Sequence, residues 1–202
     1  MKKTVSFLVS GRGSNFQAVA KAIIKGTIPA KTGVVISDTE GVRALDIAQE
    51  LSIPAFFINP GQYKSRQEHE KAMVQLLHEY STDVVVTAGY MRLLTPYFVH
   101  EFKNSIINIH PALLPAFPGT HAQRQALEYG VKISGCTTHF IDEGTDSGPI
   151  ILQKAVPVCD DDTEDTLSAR ILKEEHQLLI ESVRLFCKDK IFIKGRKVYI
   201  VR

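Results

Sequence analysis

The chain has 202 residues, of which 44% are hydrophobic and 23% are charged, and its formal net charge at pH 7 is +2. That length can bury a full core in one α/β domain, and so small a net charge does not predict a nucleic-acid-binding surface. No apolar run approaches the ~20 residues of a membrane span, and the short apolar stretch after Lys2 and Lys3 runs into glycines instead of a signal-peptide cleavage site. We therefore expect one domain that binds neither nucleic acid nor a membrane.

The cysteines and histidines do not predict a disulfide framework or a metal site. Cys136, Cys159 and Cys187 are odd in number and widely spaced, and the seven histidines show no HExxH spacing. We expect reduced thiols in a cytoplasmic protein that requires no metal ion.

The first half of the sequence alternates β-branched runs with stretches of helical periodicity. Strands are predicted at 4–10, 32–38, 53–59, 83–90 and 105–110, and a helix follows each of the first four. Ser14 to Gln17 fits a capping box for the first helix, and Ser65 with Glu68 fits a cap for the third. This alternation favours a Rossmann-like parallel sheet with helices on both faces.

The pattern changes after residue 118. A short helix is predicted at 121–129, and the strands at 133–142 and 148–158 are joined by EGTDSG, which favours antiparallel pairing. A long amphipathic helix follows from about 163 to 188, and a hairpin closes the chain around Lys194 and Gly195. We therefore expect an antiparallel extension after strand five and a long C-terminal helix.

Polar residues follow three of the predicted parallel strands, where ligands bind in sheets of this class. Gly11 to Asn15 follow strand one, Met91 and Arg92 follow strand four, and Asn108 and His110 end strand five. The glycine loop predicts either a phosphate cradle at a helix N-terminus or an ordinary strand-to-helix turn. It is not a full dinucleotide fingerprint, because the third glycine of that motif falls at Phe16.

Asn108 and His110 are two residues apart on a strand, so their side chains point to the same face. An amide beside an imidazolium can hold an oxyanion formed in acyl transfer, and the alternative is a pair that satisfies loop carbonyls. Asp146 lies in the acidic turn DEGTDSG, and a carboxylate near His110 would favour the imidazolium and raise its pKa from about 6.5. His139, taken singly, favours a structural role, and Glu175 favours a solvent-facing one.

Several segments closely resemble the phosphoribosylglycinamide formyltransferases, the glycinamide ribonucleotide transformylases among the formyl-folate transferases. They are SGRGSN near residue 10, AGYMRLL at 88–94, NIHPALLPAFPG at 108–119, QALEYG at 125–130 and HFIDEGTDSGPI at 139–150. The resemblance covers nearly the whole chain. It implies transfer of the formyl group of a co-substrate, 10-formyltetrahydrofolate, to the amine of glycinamide ribonucleotide in de novo purine biosynthesis.

The resemblance also implies roles for the residues that match. It implies a catalytic trio of Asn108, His110 and Asp146, in which Asn108 and protonated His110 hold the oxyanion and Asp146 raises the His110 pKa. The implied ribonucleotide contacts are Gly11, Arg12, Gly13, Ser14, Asn15 and Glu175. The implied folate contacts are Asn108, Arg66, Met91, Arg92, Leu93, Leu94, Ile141, Asp142, Glu143 and Gly144. A single formyltransferase domain at 1–202 would then have a nucleotide-binding half at 1–104 and a catalytic and folate-binding half at 105–202.

Other functions remain open at this point. A methionyl-tRNA formyltransferase is expected to carry a further C-terminal domain, and a formyltetrahydrofolate hydrolase an extra N-terminal one. A nucleotide-binding module without catalysis is a third alternative, and a nicotinamide oxidoreductase is a fourth that the missing glycine disfavours. The sequence leaves open whether the protein is a monomer or a homodimer.

Overall fold

The computed structural model describes residues 2–87 and 89–201 of the chain. These residues form two compact units that divide between Ile107 and Asn108, and each unit is described by itself. Among the described residues, no helix is both long and apolar enough to cross a membrane.

The first unit alternates strands and helices in the predicted order. Its elements are β1 (Lys3–Val9), α1 (Ser14–Ile24), β2 (Ala30–Ser37), α2 (Arg43–Glu50), β3 (Ala55–Phe57), a 3₁₀ turn (Pro60–Gln62), α3 (Arg66–Glu79), β4 (Val84–Thr87) and α4 (Pro96–Glu101). β1 pairs in parallel with β2 and β4, and β2 pairs in parallel with β3. The central strands are buried on both faces, which explains why they read as continuous apolar runs. The predicted parallel sheet is confirmed, and Ala88, inside the predicted fourth strand, lies outside the described residues.

The remaining elements follow the predicted change of pattern. They are β5 (Ile106–His110), α5 (Ala122–Tyr129), β6 (Ile133–Phe140), β7 (Ile150–Pro157), α6 (Glu164–Cys187), β8 (Ile191–Lys194) and β9 (Lys197–Ile200). β6 and β7 are antiparallel, and β8 and β9 form a separate two-stranded hairpin. The seven-stranded sheet has the order β3-β2-β1-β4-β5-β6-β7. The antiparallel extension and the long C-terminal helix are therefore confirmed.

Two local predictions for the first unit are wrong. The first helix has Gly13 as its N-cap, with a φ of 73° and no side-chain cap, so Ser14 to Gln17 do not form a capping box. The reason is space, because a Cβ added at Gly13 would lie 2.6 Å from the Cβ of Ala44. The third strand covers only Ala55–Phe57 instead of 53–59. The cap of α3 is as predicted, with the Ser65 hydroxyl accepting the Glu68 N–H at 3.2 Å.

Candidate active site

β5 presents polar side chains on one face and apolar side chains on the other. Ile107 and Ile109 are buried, Asn108 is half-buried and His110 is 4% exposed. The chain that leaves the strand is fixed by the hydroxyl of Thr137 on β6, which donates to the Ala112 carbonyl at 2.7 Å and accepts from the Leu114 N–H at 3.0 Å. Residues 108–110 therefore belong to a strand of the sheet, and the chain just after them is fixed by β6.

The Asp146 carboxylate lies between two imidazoles. Its Oδ2 is 3.3 Å from Nδ1 of His110 and accepts the Gly119 N–H at 2.7 Å, and its Oδ1 is 3.7 Å from Nε2 of His139. Nε2 of His110 lies 2.7 Å from the Phe117 carbonyl oxygen. Both ring nitrogens of His110 therefore face oxygen acceptors, an arrangement in which a doubly protonated ring donates on both sides. The three side chains are at most 15% exposed, so their interactions are screened less than those of surface groups.

The loop around Asp146 is held in a backbone conformation that is uncommon for residues other than glycine. Asp146 has a φ of 49°, which is uncommon for residues other than glycine. The Asp142 carboxylate accepts from the Gly144 N–H at 3.1 Å and from the Ser147 hydroxyl at 2.6 Å. Arg196, in the turn between β8 and β9, donates to the Ser147 carbonyl at 2.6 Å. Asp142 therefore shapes the loop, and Arg196 is a contributor that the sequence analysis missed.

His139 is a second residue of this site that was not predicted. Its Nδ1 lies 2.9 Å from the Phe140 carbonyl, and its Nε2 lies 3.1 Å from Nδ2 of Asn108. Burial lowers the pKa of His139, which favours the neutral ring with its proton on Nδ1. Nε2 then accepts from the Asn108 amide and fixes which end of that amide faces it. A lone histidine on a strand carries no sequence signal that separates this role from packing.

The glycine loop of the first unit combines one open position with one crowded position. A Cβ added at Gly11 would meet no atom within 4 Å, whereas Gly13 is pressed against Ala44. The Ser10 hydroxyl accepts the Met91 N–H at 3.0 Å, so the chain ends of β1 and β4 meet as the sequence predicts. The open backbone at Gly11 stands beside the N-terminus of α1, where unpaired N–H groups favour an anion.

The segment that follows β4 exposes large apolar side chains beside arginines. We call residues 89–95 the 89–95 segment. Met91 is 73% exposed and Leu93 is 59% exposed, while Nε of Arg92 is buried and has no hydrogen-bond partner among the described residues. Nη1 of Arg66 donates to the Leu93 carbonyl at 3.4 Å. Exposed apolar side chains next to a buried arginine Nε that lacks a partner among the described residues favour a ligand with both apolar and anionic parts.

Other predicted residues of the second unit have mixed environments. Glu175 is 7% exposed, so the interpretation that it faces solvent is wrong. Ile141 is half-buried, and Glu143 and Gly144 are exposed. Burial, followed by the charge of Glu175, raises the pKa of Cys136 to about 12, which disfavours a thiolate nucleophile there. Within residues 2–87 and 89–201, no group of three or more histidine, cysteine, aspartate or glutamate side chains is arranged to hold a metal ion.

The fold matches that of enzymes that transfer one-carbon units. The family model described as formyl transferase matches residues 3–183, and the chain belongs to that family. The phosphoribosylglycinamide formyltransferase of Mycobacterium tuberculosis (strain CDC 1551 / Oshkosh) is 42% identical over 189 residues, covering 94% of this chain and 87% of that protein. The crystal structure of glycinamide ribonucleotide transformylase 1 from Symbiobacterium toebii superposes with a TM-score of 0.98 at 46% identity, covering 100% of this chain and 95% of the other.

A longer relative shows the same domain within a larger chain. The human trifunctional purine biosynthetic protein adenosine-3 is 44% identical over 190 residues, which cover 94% of this chain. The present chain spans only 19% of the length of that relative.

The buried neutral His139 predicts a pH-dependent stability. Because burial lowers its pKa in the folded chain, the unfolded chain takes up a proton at this ring at a pH where the folded chain does not. We expect the free energy of unfolding to fall as the pH drops below about 6.5, and to fall less in His139→Gln. Urea denaturation between pH 8 and 5 measures this, with the curves at pH 8 as reference. Parallel pH dependence in the two proteins contradicts the assignment.

Proposed function

We propose that this chain transfers the formyl group of 10-formyltetrahydrofolate to the amine of glycinamide ribonucleotide, giving formylglycinamide ribonucleotide and tetrahydrofolate. The observation that carries the proposal is the buried contact of Asp146 with His110, beside Asn108 held by His139, in a chain of the formyl transferase family. The reaction is a step of de novo purine biosynthesis. A cytoplasmic location fits the three cysteines, which are all free.

The transfer proceeds by direct attack of the substrate amine on the formyl carbon. As the new carbon–nitrogen bond forms, the carbonyl electron pair moves to oxygen, and Asn108 and protonated His110 donate hydrogen bonds to that oxyanion. At this stage the Nε2–H of His110, which faces the Phe117 carbonyl oxygen at 2.7 Å, donates to the oxyanion instead. Asp146 stabilises the imidazolium by its negative charge.

Collapse of the tetrahedral intermediate completes the transfer of the formyl group. The electron pair returns from oxygen, the bond between the formyl carbon and the folate nitrogen breaks, and a proton passes from the attacking nitrogen to the leaving nitrogen. Water or His110 carries that proton. The formyl group is already activated on nitrogen, so the residues of the trio need to supply only charge stabilisation and proton transfer.

The ribonucleotide phosphate binds at the glycine loop. Gly11 to Asn15 offer backbone N–H groups and the positive end of the α1 dipole, and the backbone at Gly11 is open to a ligand. Arg12 lies at the edge of this loop, and Glu175 contacts the ribonucleotide in the same proposal. The phosphate provides binding far from the reacting amine, which orients the substrate.

The folate has apolar rings and an anionic glutamate tail, and the proposed site offers apolar side chains for the rings and arginines for the tail. Met91, Leu93 and Leu94 contact its apolar rings, and Arg92, with Arg66, binds the carboxylate of its glutamate tail. The buried Nε of Arg92 supports this, because such a donor without a partner among the described residues gains most from an anion. The residues Ile141, Asp142, Glu143 and Gly144 contact the folate through their backbone, and Asn108 contacts its formyl group.

The first test is the absorbance change as formyl-folate is converted to folate, measured with and without glycinamide ribonucleotide. We expect turnover only with the ribonucleotide. Turnover without any amine means hydrolysis, which keeps the trio and replaces the acceptor by water. Absence of turnover in both assays contradicts the enzymatic proposal and favours a binding module.

Replacing Asp146 tests the charge at the centre of the trio. Asn accepts the Gly119 N–H and tolerates a φ of 49°, so Asp146→Asn keeps the loop and removes the charge beside His110. We expect kcat to fall by about 100-fold or more, with little change in either KM. The matched control is Glu164→Gln, which removes a carboxylate paired with Arg124 on the surface. Equal activity of Asp146→Asn and the control contradicts the role of the charge.

A substitution at Gly11 tests the phosphate cradle without disturbing the fold. The added methyl group of Gly11→Ala points into open space, whereas a side chain at Gly13 would displace Ala44. We expect Gly11→Ala to raise the KM for the ribonucleotide severalfold and to leave the KM for formyl-folate unchanged. Steady-state kinetics with each substrate varied in turn measures both. Equal changes in the two KM values count against a phosphate site at this loop.

A further inference from the structure

We propose that Glu70 and Thr95 are positioning residues for formyl-folate. They bind the 89–95 segment to helix α3, so the affinity for the folate depends on two side chains that do not touch it. This inference rests on the proposed function, because it takes the exposed side chains of the 89–95 segment as the folate surface.

The contact between Glu70 and Thr95 is buried and uses both carboxylate oxygens. Glu70 is 1% exposed, its Oε1 accepts the Thr95 N–H at 2.8 Å, and its Oε2 accepts the Thr95 hydroxyl. Burying a carboxylate is unfavourable unless it is hydrogen-bonded, so this pair strongly disfavours conformations in which Thr95 leaves α3. The Thr95 hydroxyl consequently does not cap α4, although Thr95 stands at the N-cap position of that helix.

Two more contacts join the same face of α3 to the 89–95 segment. Arg66, Glu70 and Met73 are spaced by four and three residues, which places them on one side of the helix. Arg66 donates to the Leu93 carbonyl at 3.4 Å, and the Tyr90 hydroxyl lies 3.8 Å from the sulfur of Met73. The segment is therefore attached near both ends and in the middle, with the bond of Thr95 to Glu70 as the most buried attachment.

The exposed side chains of the 89–95 segment explain why its attachment to α3 affects folate binding. Met91 is 73% exposed and Leu93 is 59% exposed, and both lie between the attachments at Tyr90 and Thr95. A loop with exposed apolar side chains binds its ligand more tightly when its backbone is already ordered. The loop then loses less conformational entropy on binding. Loss of the Glu70 contact would release the end of the loop and weaken folate binding without changing the chemistry.

The variant Thr95→Val tests the inference, since valine has the shape of threonine and lacks the hydroxyl. We expect the KM for 10-formyltetrahydrofolate to rise about fivefold, as loss of one ordinary intramolecular hydrogen bond does, with kcat and the KM for the ribonucleotide unchanged. Thr95→Ser restores the hydroxyl and should return the folate KM to the wild-type value. Glu70→Gln keeps an acceptor for the Thr95 N–H and should change the folate KM less than Thr95→Val.

The control is Thr163→Val, which removes the N-cap hydroxyl of α6, a bond of 3.3 Å to the Thr166 N–H. It should lower the melting temperature without a selective change in the folate KM. Calorimetric binding of tetrahydrofolate to each variant gives the affinity directly, without turnover. If wild-type protein binds no tetrahydrofolate, the proposed function fails. If wild-type protein binds tetrahydrofolate, two results contradict the positioning role. One is an equal tetrahydrofolate affinity in Thr95→Val, and the other is an equal rise of the KM for both substrates in that variant.

Discussion

The position of the Asp146 carboxylate is the constraint on which the second unit depends. Its two oxygens are 3.3 Å from Nδ1 of His110 and 3.7 Å from Nε2 of His139, and one also accepts the Gly119 N–H. The backbone at Asp146 takes an uncommon positive φ, and the loop is held by a hydrogen bond that Asp142 accepts from Ser147 and one that Arg196 donates to the Ser147 carbonyl. A strained loop that surrounding contacts hold in place is typical of a site where one charge has to be aimed.

The two imidazoles around the Asp146 carboxylate differ in their other hydrogen-bond partners. His110 has an oxygen acceptor at each ring nitrogen, and in the proposed mechanism it is the ring that holds the oxyanion. Burial lowers the pKa of His139, and the neutral ring is the form that accepts a hydrogen bond from Asn108. In the proposed mechanism, the carboxylate stabilises charge on one ring, while the other ring orients the amide that completes the oxyanion site.

The first unit relies on its backbone and on preorganised loops. Gly11 leaves space beside a helix N-terminus, and Gly13 is required because Ala44 leaves no room for a side chain. The 89–95 segment is tied to α3 through Glu70, which is buried with its hydrogen bonds satisfied by Thr95. In both places the backbone is fixed by contacts within the unit, and such order reduces the entropy that the chain would lose when a ligand binds there.

The sequence by itself determined the alternation of strands and helices, the parallel sheet and the antiparallel extension, because periodicity and turn residues are local signals. It also indicated Asn108 and His110, since strand alternation places them together. The family resemblance implied Asp146 as the partner of His110, and the tertiary structure supplied their contact. Only the tertiary structure placed His139 and Arg196 at this site and buried Glu175. The helix cap at Gly13 was decided in the same way, by the distant Ala44. Contacts between residues far apart in sequence arise from packing, and no local pattern encodes which side chains will meet.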